Sequence, residues 1–314
     1  MYYPYFRGKQ FELITIREMS KFLAEKDFIP VIEPVRESLG SLKKTLRAVC
    51  EANGRAVVIV NPFHGDHQED GTNISGLLQE DFKNTNSIAA GILLRNDMTV
   101  EKVIECYRHH EDHNPVLIHA GFTAPKALAI ELKSILPSLT NVFIEDHANT
   151  LYRKHFDGSK RILIRDGFKR RKNAEFAKIP VEEFSELHLT YQSDLGMDGF
   201  GDFLTVGDAY SDGGGPAYAV AIHLTYIDPE ADDVMFIYHF VSTTNDTPTD
   251  PAGKFAQALE RLIEKLDSGT SNLINTDSIQ EFRSLHAKGH FPGLGYVKKL
   301  SMKHHIETLS AYLG

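Results

Sequence analysis

Short apolar runs recur along the chain, parted by longer stretches in which apolar residues return every three or four positions. The runs occupy residues 2–6 (YYPYF), 28–35 (FIPVIEPV), 56–62 (AVVIVNP), 88–95 (IAAGILLR), 115–122 (PVLIHAGF), 141–147 (NVFIEDH) and 161–168 (RILIRDGF). Most are rich in Val and Ile and apolar at successive positions, the pattern of a strand buried on both faces. The stretches between them are helical in period: FELITIREMSKFLAE, SLKKTLRAVCEANG with Gly54 as its expected C-cap, and APKALAIELKSILPSL. Strand and helix thus alternate through seven units by residue 168, the signature of a parallel sheet built from βα units. The next continuous apolar run, 217–227 (AYAVAIHLTYI), is read as the eighth strand, and eight units close a barrel. No Gly-x-Gly-x-x-Gly follows the early strands, which argues against an open dinucleotide-binding sheet.

The expected fold is therefore α/β, a (β/α)8 TIM-barrel-like body over residues 1–250 with a long loop insertion at 186–216. The run at 234–242 (VMFIYHFVS) follows the eighth strand closely enough to extend it as a β-hairpin. Residues 251–314 read as three helices, a C-terminal appendage packed on the barrel. The segment 193–218, rich in Asp and Gly, is expected to be a long ordered loop over the barrel mouth.

In such barrels the C-terminal strand ends and the loops after them form the functional mouth, so the pattern yields a candidate list. The strand ends supply Glu33, His119, Asp146 and Asp166 as candidate acid–base groups, with Asp194 from the long loop. Arg7, Lys9, Glu12, Asn61, Arg95, Arg165, Lys169, Arg170, Asp202 and His223 are the candidate ligand contacts. Lys169 and Arg170 belong to FKRRKN (168–173), four basic residues after the seventh strand, where barrels often bind phosphate. A divalent cation is left open as a cofactor, with Glu33, His119, Glu145 and Asp146 as its candidate ligands, although no two of them stand at a diagnostic spacing.

Composition narrows the partners. A net charge of −9 argues against a protein that coats nucleic acid without regard to sequence. An anionic small molecule or a nucleic-acid end is the expected ligand of the basic loops. Two cysteines, Cys50 and Cys106, in 314 residues fit a reducing compartment and buried structural thiols. No signal-peptide pattern and no apolar run of about 20 residues occurs, so the expected location is the cytoplasm, away from membranes.

The stretch YPYFRGKQFELITIREM…FIPVIEPV, with GFGDF at 199–203 and YAVAIHLTYI after it, resembles the phage Beta-protein family. It is more similar still to a related bacterial family often encoded beside a nuclease-like partner. The likeness spans nearly the whole chain and is clearest over 2–35 and 193–226. It implies a barrel, a phage, mobile-element or phage-defence setting, and Lys9, Glu12, Glu33, Asp194, Gly201 and Asp202 as family positions, without implying a reaction. The expectation is a phosphate-binding barrel, with hydrolysis of a nucleotide or phosphodiester left open. The competing expectations are a non-catalytic antitoxin or adaptor that grips a nuclease-like partner, and a nucleotide sensor. Oligomeric state is not legible in the sequence.

Overall fold

The continuous apolar runs become strands because a strand covered on both faces has no side that must meet water. In the computed structural model, which describes residues 1–83 and 85–314, the chain begins β1 (Tyr5–Phe6), α1 (Gln10–Glu18), α2 (Ser20–Glu25), β2 (Val31–Ile32), α3 (Gly40–Glu51), β3 (Ala56–Ile59), α4 (Thr72–Asp81), β4 (Ile88–Leu94) and α5 (Val100–His109). It continues through β5 (Val116–His119), α6 (Pro125–Glu131), β6 (Thr140–Ile144), α7 (Thr150–Lys154) and β7 (Lys160–Arg165). After β7 come β8 (Val181–Ser185), α8 (Leu187–Thr190), β9 (Gly199–Asp202), β10 (Ala221–Asp228), β11 (Val234–Val241), α9 (Pro251–Asp267), α10 (Asp277–Lys288) and α11 (Leu294–Leu313).

Two compact units share these elements. The first, Met1–Arg165 with Thr190–Asp202, holds an eight-stranded parallel sheet in the order β1-β2-β3-β4-β5-β6-β7-β9. An isolated parallel bridge between Tyr2 and Phe200 joins its ends, with Tyr3 N donating to Phe200 O at 2.8 Å and Phe200 N to Met1 O at 3.1 Å. The first unit is thus a TIM-barrel-like α/β fold, with helices following its strands.

The eighth barrel strand is GFGD at 199–202, not the apolar run at 217–227, and it falls inside the stretch expected to be a loop. Two glycines in four residues give it little strand propensity, which hides it from periodicity. Their place in the fold explains them. A Cβ on Gly201 would lie 2.0 Å from the carbonyl oxygen of Tyr3, so only glycine lets the last strand close against the first.

The second unit is Asp166–Leu189 with Phe203–Gly314. The hairpin expected from 217–242 does form, with His223 opposite His239, but it belongs to a three-stranded antiparallel sheet in the order β10-β11-β8 and does not extend a barrel strand. Ile222, Leu224, Tyr226, Tyr238 and Phe240 from this sheet bury against Phe255, Leu259 and Leu262 of α9, Phe282 of α10 and Leu300 of α11. Each such side chain contributes roughly 1.5–3 kcal/mol on burial. The first of the three helices expected over 251–314 is α9: Phe255, Ala258, Leu259, Leu262 and Ile263 face inward, and Asp250 caps the helix by accepting from Gly253 N at 2.8 Å.

Helix ends depart from expectation in three places, one of them APKALAIELKSILPSL, of which only Pro125–Glu131 is α-helix before a 3-10 turn at Leu136–Ser138. FELITIREMSKFLAE breaks at Met19 into α1 and α2. The left-handed residue after α3 is Asn53, with φ 55°, while Gly54 N donates to Val49 O at 2.9 Å. Cys50 and Cys106 are unpaired and half-buried, less enclosed than expected, and burial raises the Cys106 thiol to about 11. Among the described residues no helix is long and apolar enough to cross a membrane.

Candidate functional site

The best-formed polar constellation of the barrel stands where β1, β2 and β3 end, and its hub is Glu33. This carboxylate is fully buried. It accepts from Tyr5 Oη at 2.9 Å, from Arg7 Nη1, from the backbone N–H of Phe63 at 2.8 Å and of His64 at 3.0 Å, and from His64 Nδ1 at 3.1 Å. Burial opposes its ionisation. The hydrogen bond from His64 and the charge of Arg7 outweigh that, and its pKa falls to about 2. Glu33 is a saturated anion that fixes the loops on either side of it.

Local backbone chemistry makes this possible. Gly8 has φ +64°, and a Cβ there would sit 2.8 Å from Glu33 O, so glycine lets the chain turn tightly after Arg7. Arg7 N then donates to Glu12 Oε2 in the first turn of α1, and its guanidinium lies 4.9 Å from the Tyr5 ring. Lys9 is the half-buried N-cap of α1, and its carbonyl accepts from Leu13 N at 2.9 Å.

Beside this hub lies an exposed aromatic. Phe63 is 49 % exposed; His64 meets it edge-on at 4.9 Å, and the Arg95 guanidinium lies 5.7 Å from its ring centre. Arg95 donates to both carboxylate oxygens of Asp97 at 3.1 Å. Farther round the barrel, Arg165 at the end of β7 pairs in bidentate fashion with Glu145 at the end of β6. Asp202, next to Arg165 in register, is buried and accepts from Tyr2 Oη at 2.7 Å. Burial first, and then the Asp202 charge, hold the Tyr2 phenol well above its usual range.

Each guanidinium of the barrel's strand ends therefore has its own carboxylate, but the pairs differ in strength. The partner side chains are 0 % exposed for Glu33, 26 % for Glu145 and 61 % for Asp97. An exposed pair is worth about 1 kcal/mol at most, so Arg95 is the cation an incoming anion can recruit at least cost. Planar guanidinium groups suit the paired oxygens of phosphate or carboxylate.

Several predicted site residues serve other ends. His119 ends β5, but its ring packs against Phe143 at 4.6 Å and Phe156 at 4.5 Å. Its Nδ1 contacts Tyr152 Oη at 2.8 Å and its Nε2 contacts Asn141 Oδ1 at 2.9 Å, while Asn141 donates to Ser159. Burial lowers its pKa to about 4, against the hydrogen bond it donates to Asn141 Oδ1, so it is a neutral core histidine facing β6 and α7. Asn61 is occupied by backbone: its amide donates to Leu93 O at 2.9 Å and accepts from Leu93 N at 2.8 Å, extending the ladder between β3 and β4. Asp146 is exposed in a 3-10 turn. Asp194 is exposed in the turn leading into β9, at the N-terminal end of that strand and away from the strand ends that form a barrel's mouth. No three His, Cys, Asp or Glu side chains among the described residues are placed to share a cation, so Glu33, His119, Glu145 and Asp146 do not form the proposed ligand set.

The remaining candidates belong to the second unit. Asp166 accepts from Phe168 N at 2.9 Å and Asp208 N at 2.8 Å, the work of a turn residue. Lys169 reaches Glu183 O at 3.4 Å, Arg170 donates to Ala209 O at 2.9 Å, and His223 lies on β10 and not on a barrel strand.

Tyr5 and Phe63 were not among the sequence candidates. An aromatic in an apolar strand reads as core, and nothing in spacing marks a hydroxyl that will meet a carboxylate 28 residues on. Phe63 had one signal: a bulky apolar residue between Pro62 and His64, past the end of its strand, has little reason to be there for packing. In comparison with known proteins, no family model and no curated protein matches the chain.

Proposed function

We propose that the barrel is a binding module for an anionic, phosphate-bearing ligand, a nucleotide or a nucleic-acid end, held at the Phe63–His64–Arg95 patch at the ends of β3 and β4. The observation that carries this is the exposed Phe63 ring flanked by Arg95, whose own carboxylate partner is mostly in solvent. A stacking surface beside a recruitable guanidinium suits a base joined to a phosphate. Glu33 supports binding without turnover. With its pKa near 2 and its oxygens occupied by named donors, it takes no proton near neutral pH and instead braces Arg7 and the 63–64 loop. His119, another acid–base candidate of the barrel, is spent on core packing.

Calorimetric titration with adenosine diphosphate, adenosine and inorganic phosphate tests the proposal. The diphosphate should bind more tightly than either fragment, and Phe63→Ala should weaken it by about 1–3 kcal/mol, the usual worth of one stacked base. Equal, unsaturable heats for all three compounds would remove the binding function.

A further inference from the structure

The small antiparallel sheet of the second unit carries a polar row that its packing does not require. One face of the sheet supplies Ile222, Leu224, Tyr226, Tyr238 and Phe240 to the apolar core under the helices. Alternation along the strands puts His223 and His239 on the opposite face, directly across from one another. Their Nδ1 atoms are 2.7 Å apart. His239 Nε2 lies 3.2 Å from Glu182 Oε1 on β8, and Glu182 is held by both guanidinium nitrogens of Arg171, with Nη2 at 3.0 Å from Oε2. Lys169 Nζ is 3.8 Å from the same carboxylate. The row Arg171–Glu182–His239–His223 crosses all three strands.

Its protons can be assigned from its ends. Glu182 carries a lowered pKa; burial opposes ionisation, and the Arg171 hydrogen bond and charge overcome it, so the carboxylate only accepts. His239 therefore bears its hydrogen on Nε2. Burial lowers its pKa to about 4, so the ring is neutral and its Nδ1 is a bare lone pair. His223 must then donate from Nδ1, which leaves its own Nε2 as a lone pair. No described residue hydrogen-bonds to that nitrogen, and His223 as a residue is only partly buried. Phe168 and Phe176 meet the His223 ring edge-on at 5.0 Å and 4.8 Å and fix its plane. Burial first, and then the charges of His239 and of Lys298 on α11, disfavour a resting imidazolium at His223.

We propose that this row is a proton relay in which His223 Nε2 is the base toward a small compound bearing an acidic O–H or S–H group. The O–H or S–H bond breaks, its electron pair stays on the compound, and its proton binds His223 Nε2. The Nδ1 proton of His223 passes to His239 Nδ1, and the resulting His239 imidazolium faces the Glu182 carboxylate. The charge thus comes to rest away from Lys298, beside an anion that Arg171 already orients. His239 and Glu182 are positioning residues, since only His223 would touch the compound.

The test uses the full chain and diethyl pyrocarbonate, which acylates the lone pair of a neutral imidazole. At neutral pH His223 should be modified, as read by peptide mass spectrometry, with exposed His147 as the internal standard. Glu182→Gln can present an amide N–H to His239, which reverses both tautomers. It should slow His223 at least about tenfold while the His147 rate stays unchanged. Imidazole ¹⁵N spectra of the unaltered protein provide a second readout that does not depend on the variant folding. They should show hydrogen on Nδ1 of His223 and on Nε2 of His239. Failure of His223 to react while His147 does, an unchanged rate in a folded Glu182→Gln protein, or the same tautomer at both histidines would each overturn the relay.

Discussion

Replacing Glu33 by Gln removes the one charge that the strand-end loops of β1 and β3 are built around. The Arg7 side chain is 9 % exposed and that of Glu33 0 %, so the substitution strands a guanidinium in a dry site. Two routes give its cost. Breaking a buried ion pair from one side costs about 3–5 kcal/mol. Independently, a folded pKa near 2 in place of the usual 4.5 corresponds to roughly 3 kcal/mol held by the ionised form. That contribution is complete above the unfolded pKa and is lost as pH falls through the folded one. The routes agree. Urea unfolding followed by far-UV circular dichroism should show Glu33→Gln less stable by about 3–5 kcal/mol at pH 7. Removing Arg7 as well, in Arg7→Met/Glu33→Gln, should recover at least about 1.5 kcal/mol, because the stranded charge is gone. A loss below about 0.5 kcal/mol for the single variant would refute the buried pair, since that is the scale of ordinary surface substitutions.

Three further outcomes follow from the geometry. His119, His239 and His304 are buried neutral with pKa values near 4, chiefly because burial disfavours their charged forms, against 6.5 when unfolded. Their stabilisation is complete above pH 6.5 and is lost between there and pH 4, at roughly 3 kcal/mol each, so Tm should fall steadily over that window and a flat profile would contradict it. Gly201→Ala drives a methyl against the Tyr3 carbonyl at the barrel seam and should cost more than about 3 kcal/mol in urea or abolish soluble expression; near-native stability would show that the seam is not close-packed. Asp194→Asn, in an exposed turn, should leave stability within about 0.5 kcal/mol and nucleotide affinity unchanged, and a loss of binding would return Asp194 to the site.

Much of the barrel was legible because burial on both faces leaves a continuous apolar signature, and seven strands announced themselves that way. The eighth could not, since closing the seam demanded glycine where strand propensity asks for branched residues. The more apolar β10 took its place in the reading, although its apolar side chains face helices and not a barrel. At the mouth, Arg7, Glu12 and Glu33 were found by position at their strand ends. His119 shared that position and differed only in which way its ring turned. One residue of alternation separates a mouth histidine from a core one, and no sequence rule fixes the register that finely. Glu182 escaped notice because a Glu-Glu pair in a short edge strand looks like solvated surface until His239 is placed beside it.

Binding at the Phe63–Arg95 patch is the central claim, and thermal shift with a nucleoside diphosphate measures it most directly. At saturating ligand the wild-type Tm should rise by several degrees, because a ligand at about 100 times its Kd adds about 2.7 kcal/mol. The Phe63→Ala/Arg95→Ala protein should keep its unliganded Tm and lose the shift. An equal shift in both proteins, or none in the wild type, would contradict the claim.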